Sequence, residues 1–429
     1  MTDVRTRSEV DVAAVQRRTL GVLSTYQGLS GIAVAGAIPA GALIAAGVSG
    51  SEAAAGFAQT SGVVGAALAA LPLARLTLSG GRRRALAVGV SLGALGAVVV
   101  VVAAVTRSFP LVVLGCMLVG AASASNYQAR YAAADLAAPD RRARDLSIVV
   151  WASTIGAILG PNLLEVSGRL AVSLGLPQLS GPYVVAAVCL GISAMLMVSF
   201  LRPDPYLLAR RLAVQAGDVA ATQSKRLRDA IPHMRQHAKA RLGITSVAIG
   251  HAVMVMVMVM TPVHMRHVDV QLQLIGLVIS VHVAGMYALS PLVGMAADRF
   301  GRRVVIAAGV AILAIACVLG AAAPADDVPR LGIALFLLGL GWSCTLIGGS
   351  TLLVEDVDPG DRPAVQGASD LVMNVAGAVG GIVAGIVVAE ASYAVLCLTA
   401  LVPVVALGAY VVVSLRRTPA QPQGGSSPV

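Results

Sequence analysis

The sequence predicts an all-α integral membrane protein of twelve spans, arranged as two six-helix halves. Three observations predict it. Hydrophobic residues fill 57% of the 429 positions and charged ones only 12%, a balance too apolar for an ordinary water-soluble protein. Runs of eighteen or more residues almost free of charge recur along the chain, and as helices each is long enough to cross ~30 Å of hydrocarbon. A polar stretch at 202–240 leaves six such runs on either side of it. Nowhere does the period-two alternation of a membrane β-barrel appear.

The first six spans fall at 20–45, 54–78, 85–106, 109–133, 146–166 and 181–201. The second six fall at 243–263, 272–293, 303–323, 331–353, 365–389 and 391–415. Two bundles are therefore expected, over 1–201 and 241–415, joined by the 202–240 loop, in which KRLRDAIPHMRQHAKAR reads as a surface helix. The opening MTDVRTRSEVDVAAVQRRTL is polar and charged, unlike a cleaved signal peptide. The closing segment 416–429, RRTPAQPQGGSSPV, reads as a disordered tail.

The net charge of +10 raises the question of nucleic acid, and the placement of the charges answers it. With the N-terminus in the cytoplasm, only Arg107, Arg169, Arg266 and Arg330 of the 31 lysines and arginines fall away from cytoplasmic segments or helix ends. This is the positive-inside rule, so the charge sets topology and no nucleic-acid partner is expected. A bacterial-type inner membrane with both termini cytoplasmic follows. Cys116, Cys189, Cys317, Cys344 and Cys397 each stand alone inside a span and read as small packing residues.

Each half carries a glycine-and-arginine turn between its second and third spans. The first is LPLARLTLSGGRRRAL and the second GMAADRFGRRVVI, about 220 residues apart, which marks an internal duplication. The stretch GMAADRFGRR, from Gly294 to Arg303, resembles motif A of the major facilitator superfamily, G-x-L-a-D-R-x-G-R-R. With the twelve spans and the two-fold repeat, the resemblance covers nearly the whole chain. It implies a secondary transporter whose cavity opens alternately to either side. It also implies that Gly294, Asp298, Arg299, Gly301, Arg302 and Arg303 form a latch, in which the aspartate pairs with arginines and a helix terminus in the outward-open state. The first-half copy departs from the pattern, since Leu78 stands where Asp298 does and Arg75 lies upstream. Arg82, Arg83 and Arg84 are there read equally well as topogenic charges.

Ionisable residues inside a bundle are costly and hence functional candidates. Arg130, in NYQARYAAAD, resembles the motif B arginine of span four, which the family associates with proton coupling; snorkelling to the interface is the competing reading. Asp370, in GASDLVMNV, is the best carboxylate for a proton relay, and His282 is the third coupling candidate. Tyr26, Gln27, Gln59, Asn126, Gln128, Trp151 and Asn374 are candidates to line the cavity, with helix-to-helix hydrogen bonding as the alternative. In span five, Gly156, Gly160 and Pro161 match the core of motif C, which resembles drug/proton antiporters and favours export; Leu163 and Leu164 replace its trailing glycines.

Span seven and the loop after it read HAVMVMVMVMTPVHM. Thioethers are neutral, soft ligands that select Cu(I), and imidazole joins them readily. Met254 and Met258, or Met256 and Met260, together with His282 and Met286 on span eight, resemble the ligands of copper importers in this superfamily. The outer loop adds His264 and His267. A related branch carries riboflavin, and methionine is also an adaptable packing residue. The main expectation is a monomeric, proton-coupled transporter of a small organic molecule, without cofactor. Cu(I) import is the first alternative, and a non-transporting membrane sensor is the alternative of another class. With no phosphate loop and no nucleophile–base pair, and with EDVDPGDR reading as a solvated loop, an enzyme is not expected.

Overall fold

The computed structural model describes residues 11–50, 53–217, 237–266, 268, 270–355, 357–358 and 360–416. Most of the expected surface helix of the central loop, His267 and the tail beyond Arg416 lie outside them. The described residues are helical throughout, with no strand among them.

The first half runs α1 (Val12–Ser49), α2 (Ala53–Thr106), α3 (Phe109–Ala134), α4 (Arg142–Asn162), α5 (Leu164–Ser173) and α6 (Gly181–Phe200). A short α7 (Pro205–Gln215) follows. The second half runs α8 (Ala238–Arg266), α9 (Leu272–Tyr287), α10 (Ser290–Phe300), α11 (Arg302–Ala321), α12 (Val328–Leu352), α13 (Arg362–Glu390) and α14 (Tyr393–Arg416). Eleven apolar helical stretches of these are long enough to cross a membrane, and they carry the twelve expected spans because α2 holds two. Its continuity is broken at Gly81, whose φ of 83° only glycine adopts without strain. The duplicate turn makes the same break at Gly301, with φ 97°, between α10 and α11.

Several spans differ in extent from those expected. Span one begins at Val12 because Asp11 caps it, its carboxylate accepting the Ala14 N–H at 3.0 Å. Span five is interrupted at Leu163 and continues as α5. Span eight runs on to Phe300 and is jogged at Ala288–Leu289, where Pro291 in the first turn of α10 brings no N–H. Hydropathy locates the apolar segment and is blind to such breaks.

Each half buries its own core. Leu23, Tyr26, Leu86, Val90 and Leu190 pack in the first, and Val253, Met256, Leu313, Leu335 and Leu396 in the second. A third cluster, with Tyr131, Leu146, Val293, Ile347, Leu353 and Val365, draws on both halves near one end. Arg82, Arg202, Lys239 and Arg302 lie at that end, termed here the basic end. The halves meet along two seams, α2 against α13 and α4 against α10. Apolar side chains such as Phe57, Leu68, Met195, Ile382 and Val402 are exposed on the outer surface. That is the arrangement a lipid solvent stabilises.

Candidate functional site

Between the halves lies a cavity of about 360 Å³, within the range of ligand pockets. Its lining extends from Gly41, Ala58 and Tyr183, far from the basic end, down to Arg130, Leu346 and Asn374. The first half supplies most of the wall. On α3, Ser123, Asn126, Tyr127 and Arg130 share one helical face and all reach the cavity. Gln27 on α1, Gln59 on α2 and Ser153 on α4 add polar groups among glycine, alanine and valine. Gln27 Nε2 donates to Ser153 Oγ at 2.9 Å, which ties α1 to α4. The second half contributes Tyr287, Trp342, Leu346 and Asn374 at the floor. There Tyr287 and Trp342 meet edge to face with ring centroids 5.7 Å apart, and the Trp342 indole N–H donates to His251 Nδ1 at 3.2 Å.

Beneath the cavity an ion pair joins the halves. Arg130 on α3 donates to Asp370 Oδ1 on α13 at 2.7 Å, with side-chain exposures of 4% and 0%. Asp370 lies about 12 Å from the start of α13 at 1.5 Å per residue, too deep to face water. Its guanidinium partner sits 4.7 Å from the Tyr131 ring and 5.6 Å from that of Tyr127. The aromatic faces favour the cation where water is excluded. A snorkelling Arg130 is thereby excluded: the side chain points to the other half, not to the interface.

Below this pair the basic end is closed. Asp298 accepts the N–H groups of Ala143 and Arg144 at 3.1 and 2.8 Å, at the first turn of α4 in the other half. These amides have no partner inside their own helix, and the positive end of the helix dipole favours a carboxylate there. Arg302 donates to Pro139 O at 2.7 Å and to Asp298 at 3.2 Å, and pairs with Glu355 at 3.2 Å. Gly294 lies flush against Ala143 and Ser147, so α10 approaches α4 closely. Arg303 donates to Ser414 O at 3.2 Å, while the Arg299 guanidinium lies 5.4 Å from the Phe300 ring, away from the latch.

The first-half turn separates Arg82 from the topogenic charges beside it. Arg82 is 1% exposed and donates from Nε to Asp135 at 2.8 Å and from its terminal nitrogen to Gln366 of α13. Asp204 takes the Arg83 N–H at 2.8 Å and the Leu207 N–H at 3.1 Å, so it caps both the helix after Gly81 and α7. Neither Gln366 nor the tie from Asp204 to Arg83 stands out in the sequence, because each joins residues more than 100 apart.

Of the seven expected cavity residues, Gln27, Gln59, Asn126 and Asn374 line it and three do not. Tyr26 is fully buried and donates to Ser125 Oγ at 2.8 Å, and Gln128 donates to Ala70 O at 3.0 Å, so both serve helix packing. Trp151 is 44% exposed on the outer face of α4. It lies two residues from Ser153, roughly 200° around the helix, which turns it away from the cavity. The aromatic residues that do reach the cavity, Tyr127, Tyr183, Tyr287 and Trp342, were not singled out, since a lone aromatic carries no periodic signal. Gly156 and Gly160 pack directly on Gly31 and Gly36 of α1, where any side chain would collide with backbone. The Pro161 side chain lies outside those described.

The methionine and histidine set lies on two helices of the second half, within its core. Met254 and Met286 are buried in the second-half core with Met256, while Met258 packs at its margin. His282 is 1% exposed and shares a 2.8 Å hydrogen bond with Leu335 O. α8 packs mainly on α13 and α12, α9 mainly on α12, and the two scarcely touch. Helix periodicity placed these residues on faces but not the faces opposite one another.

A membrane-spanning pair of helical bundles that encloses a cavity, and is tied shut at one end, defines a transport protein and not an enzyme. The family model described as Major Facilitator Superfamily matches residues 23–267 and 242–428, and the chain belongs to that superfamily. It is 38% identical over 391 residues to the MFS-type transporter YdeG of Bacillus subtilis (strain 168), covering 90% of this chain and 89% of that one. It is 26% identical over 365 residues to the riboflavin transporter RfnT of Brucella anthropi, covering 84% and 86%. The proton:xylose symporter XylE bound to 6-bromo-6-deoxy-D-glucose has the same fold, with a TM-score of 0.69 at 15% identity over 95% of this chain and 96% of that one.

Proposed function

We propose that this transporter moves a small organic molecule by alternating access, coupled to protons through Arg130 and Asp370. The observation that carries the reading is the 2.7 Å ion pair across the halves, directly under the cavity. Separating the halves there leaves two buried charges unpaired, a cost of about 3–5 kcal/mol. Protonating Asp370 removes that cost on one side, so proton uptake and opening of the basic end are linked. By the positive-inside rule the basic end faces the cytoplasm of an inner membrane, and the cavity then belongs to the outward-facing state. Gln27, Gln59, Asn126 and Asn374 are the polar contacts for cargo, and the Asp298–Arg302 group is the latch. An organic cargo is supported by these amides and by the relative that carries riboflavin. Export is favoured by the resemblance of the Gly156–Gly160 segment to antiporters.

The test uses proteoliposomes, a panel of labelled organic molecules headed by riboflavin, and an imposed pH gradient. Asp370→Asn is expected to abolish gradient-driven movement while leaving exchange between labelled and unlabelled cargo intact. Gradient-driven movement at the wild-type level in Asp370→Asn would place the coupling elsewhere.

A further inference from the structure

The floor of the cavity has a chemistry of its own. Trp342 on α12 is 4% exposed and its single hydrogen-bond donor is already taken by His251 on α8. What Trp342 leaves for the cavity is ring carbon. Gly377 of α13 makes room for that acceptor: a Cβ there would lie 2.7 Å from the His251 ring. Tyr287 stands at 85° to the indole and reaches the same cavity, as does Tyr127 from the other half. The one formal charge in the lining, Arg130, is matched by Asp370, so a charged cargo would meet no unpaired partner. Around this floor the wall is narrow and made largely of small residues, including Gly31, Ala35, Gly62, Ala66 and Gly120.

Building on the transport reading above, we infer that the cargo docks an uncharged, flat aromatic face on Trp342 and Tyr287, and that His251 is the positioning residue for Trp342. Trp342 itself offers a polyhydroxylated cargo no donor, because the indole N–H is already given to His251. Aromatic surfaces instead prefer edge-to-face and offset contacts with one another, beyond the area they bury.

The chain supplies its own reporter. It has two tryptophans, Trp151 on the outer face and Trp342 at the floor, so Trp151→Phe leaves one emitting residue in the cavity. In the purified full-length Trp151→Phe protein, lumichrome, an uncharged three-ring heteroaromatic, is expected to quench Trp342 emission saturably, and glucose is expected to leave it unchanged. In proteoliposomes, Trp342→Leu should raise the KM for lumichrome about tenfold, and Trp342→Phe should hold it near wild type. His251→Leu should raise KM with kcat unchanged, and His251→Gln, which keeps an acceptor, should restore it. Emission unmoved by lumichrome, or a wild-type KM in Trp342→Leu, overturns the docking assignment and leaves the transport reading standing. Quenching without any uptake does the reverse: it sinks the transport reading and leaves the docking assignment.

Discussion

The two glycine turns at the basic end descend from one repeat, yet they close the molecule by different chemistry. At the second-half turn a carboxylate crosses the seam: Asp298 sits on the free amides that open α4, with Arg302 bridging to Pro139 and Glu355. At the first-half turn the matching position, Leu78, packs against the apolar cluster that draws on both halves. The polar crossing is made one turn later, by Arg82 onto Gln366. The duplication has kept the backbone break, at Gly81 and Gly301, and the close helix seams that follow from it. The side chains that lock those seams have diverged. One seam is tied by a network whose Arg302 and Glu355 side chains are 20% and 19% exposed, the other by a guanidinium that is 1% exposed.

The comparison is broken most strongly at Arg82. Arg82→Met leaves Asp135, with a side-chain exposure of 3%, as a buried charge without its partner. Breaking such a pair costs ~3–5 kcal/mol, so a large fall in thermal stability in detergent is expected. The double variant Arg82→Met, Asp135→Leu should recover most of it, because two apolar groups replace the charges together. If the double variant is no more stable than Arg82→Met alone, the pair is not what Arg82 contributes.

At the second-half turn the expected effect is smaller and of another kind. Asp298→Asn keeps one acceptor for the α4 amides but removes the charge that favours the helix terminus. A loss of ~1–2 kcal/mol from the closed basic end follows. The fold should stand, while the population open at the basic end rises roughly five- to thirtyfold. Distances between spin labels on the basic ends of α4 and α10 read this directly. An unchanged distance distribution would mean that Asp298 is not the restraint on this seam.

How much of this was legible beforehand divides along the same line. The twelve spans, the repeat and the Asp298 turn follow from hydropathy and a contiguous motif, both local properties of the chain. Asp370 and Arg130 were legible as costly charges, but not as partners, because 240 residues separate them. Arg82 was left open between a latch and a topogenic charge, since in sequence it is one of three arginines and only the fold turns it inward. The methionine and histidine set was legible only as helix faces, for a related reason. Periodicity gives the face of a helix and leaves its neighbour open: α8 packs mainly on α12, α13 and α14, and little on α9.

Leu78 offers the finest division between the two turns. Replacing it by alanine removes a half-buried side chain from the cluster that joins the halves, worth about 1 kcal/mol of apolar contact. Replacing it by aspartate removes the same contact but supplies the motif its missing carboxylate. The first turn of α13, the helix that packs along α2 and has Asp361 at its N-cap position, is the terminus it would meet. If the turns are equivalent in backbone, the new carboxylate offsets about 1 kcal/mol at that helix terminus. Leu78→Asp should then lie closer to wild type than Leu78→Ala, by about fivefold in the population open along the α2–α13 seam. The same label pair moved to α2 and α13 measures it. Aspartate worse than alanine would show that Asp361 already holds the negative charge this terminus accepts, and that the two turns differ in backbone as well as in side chain.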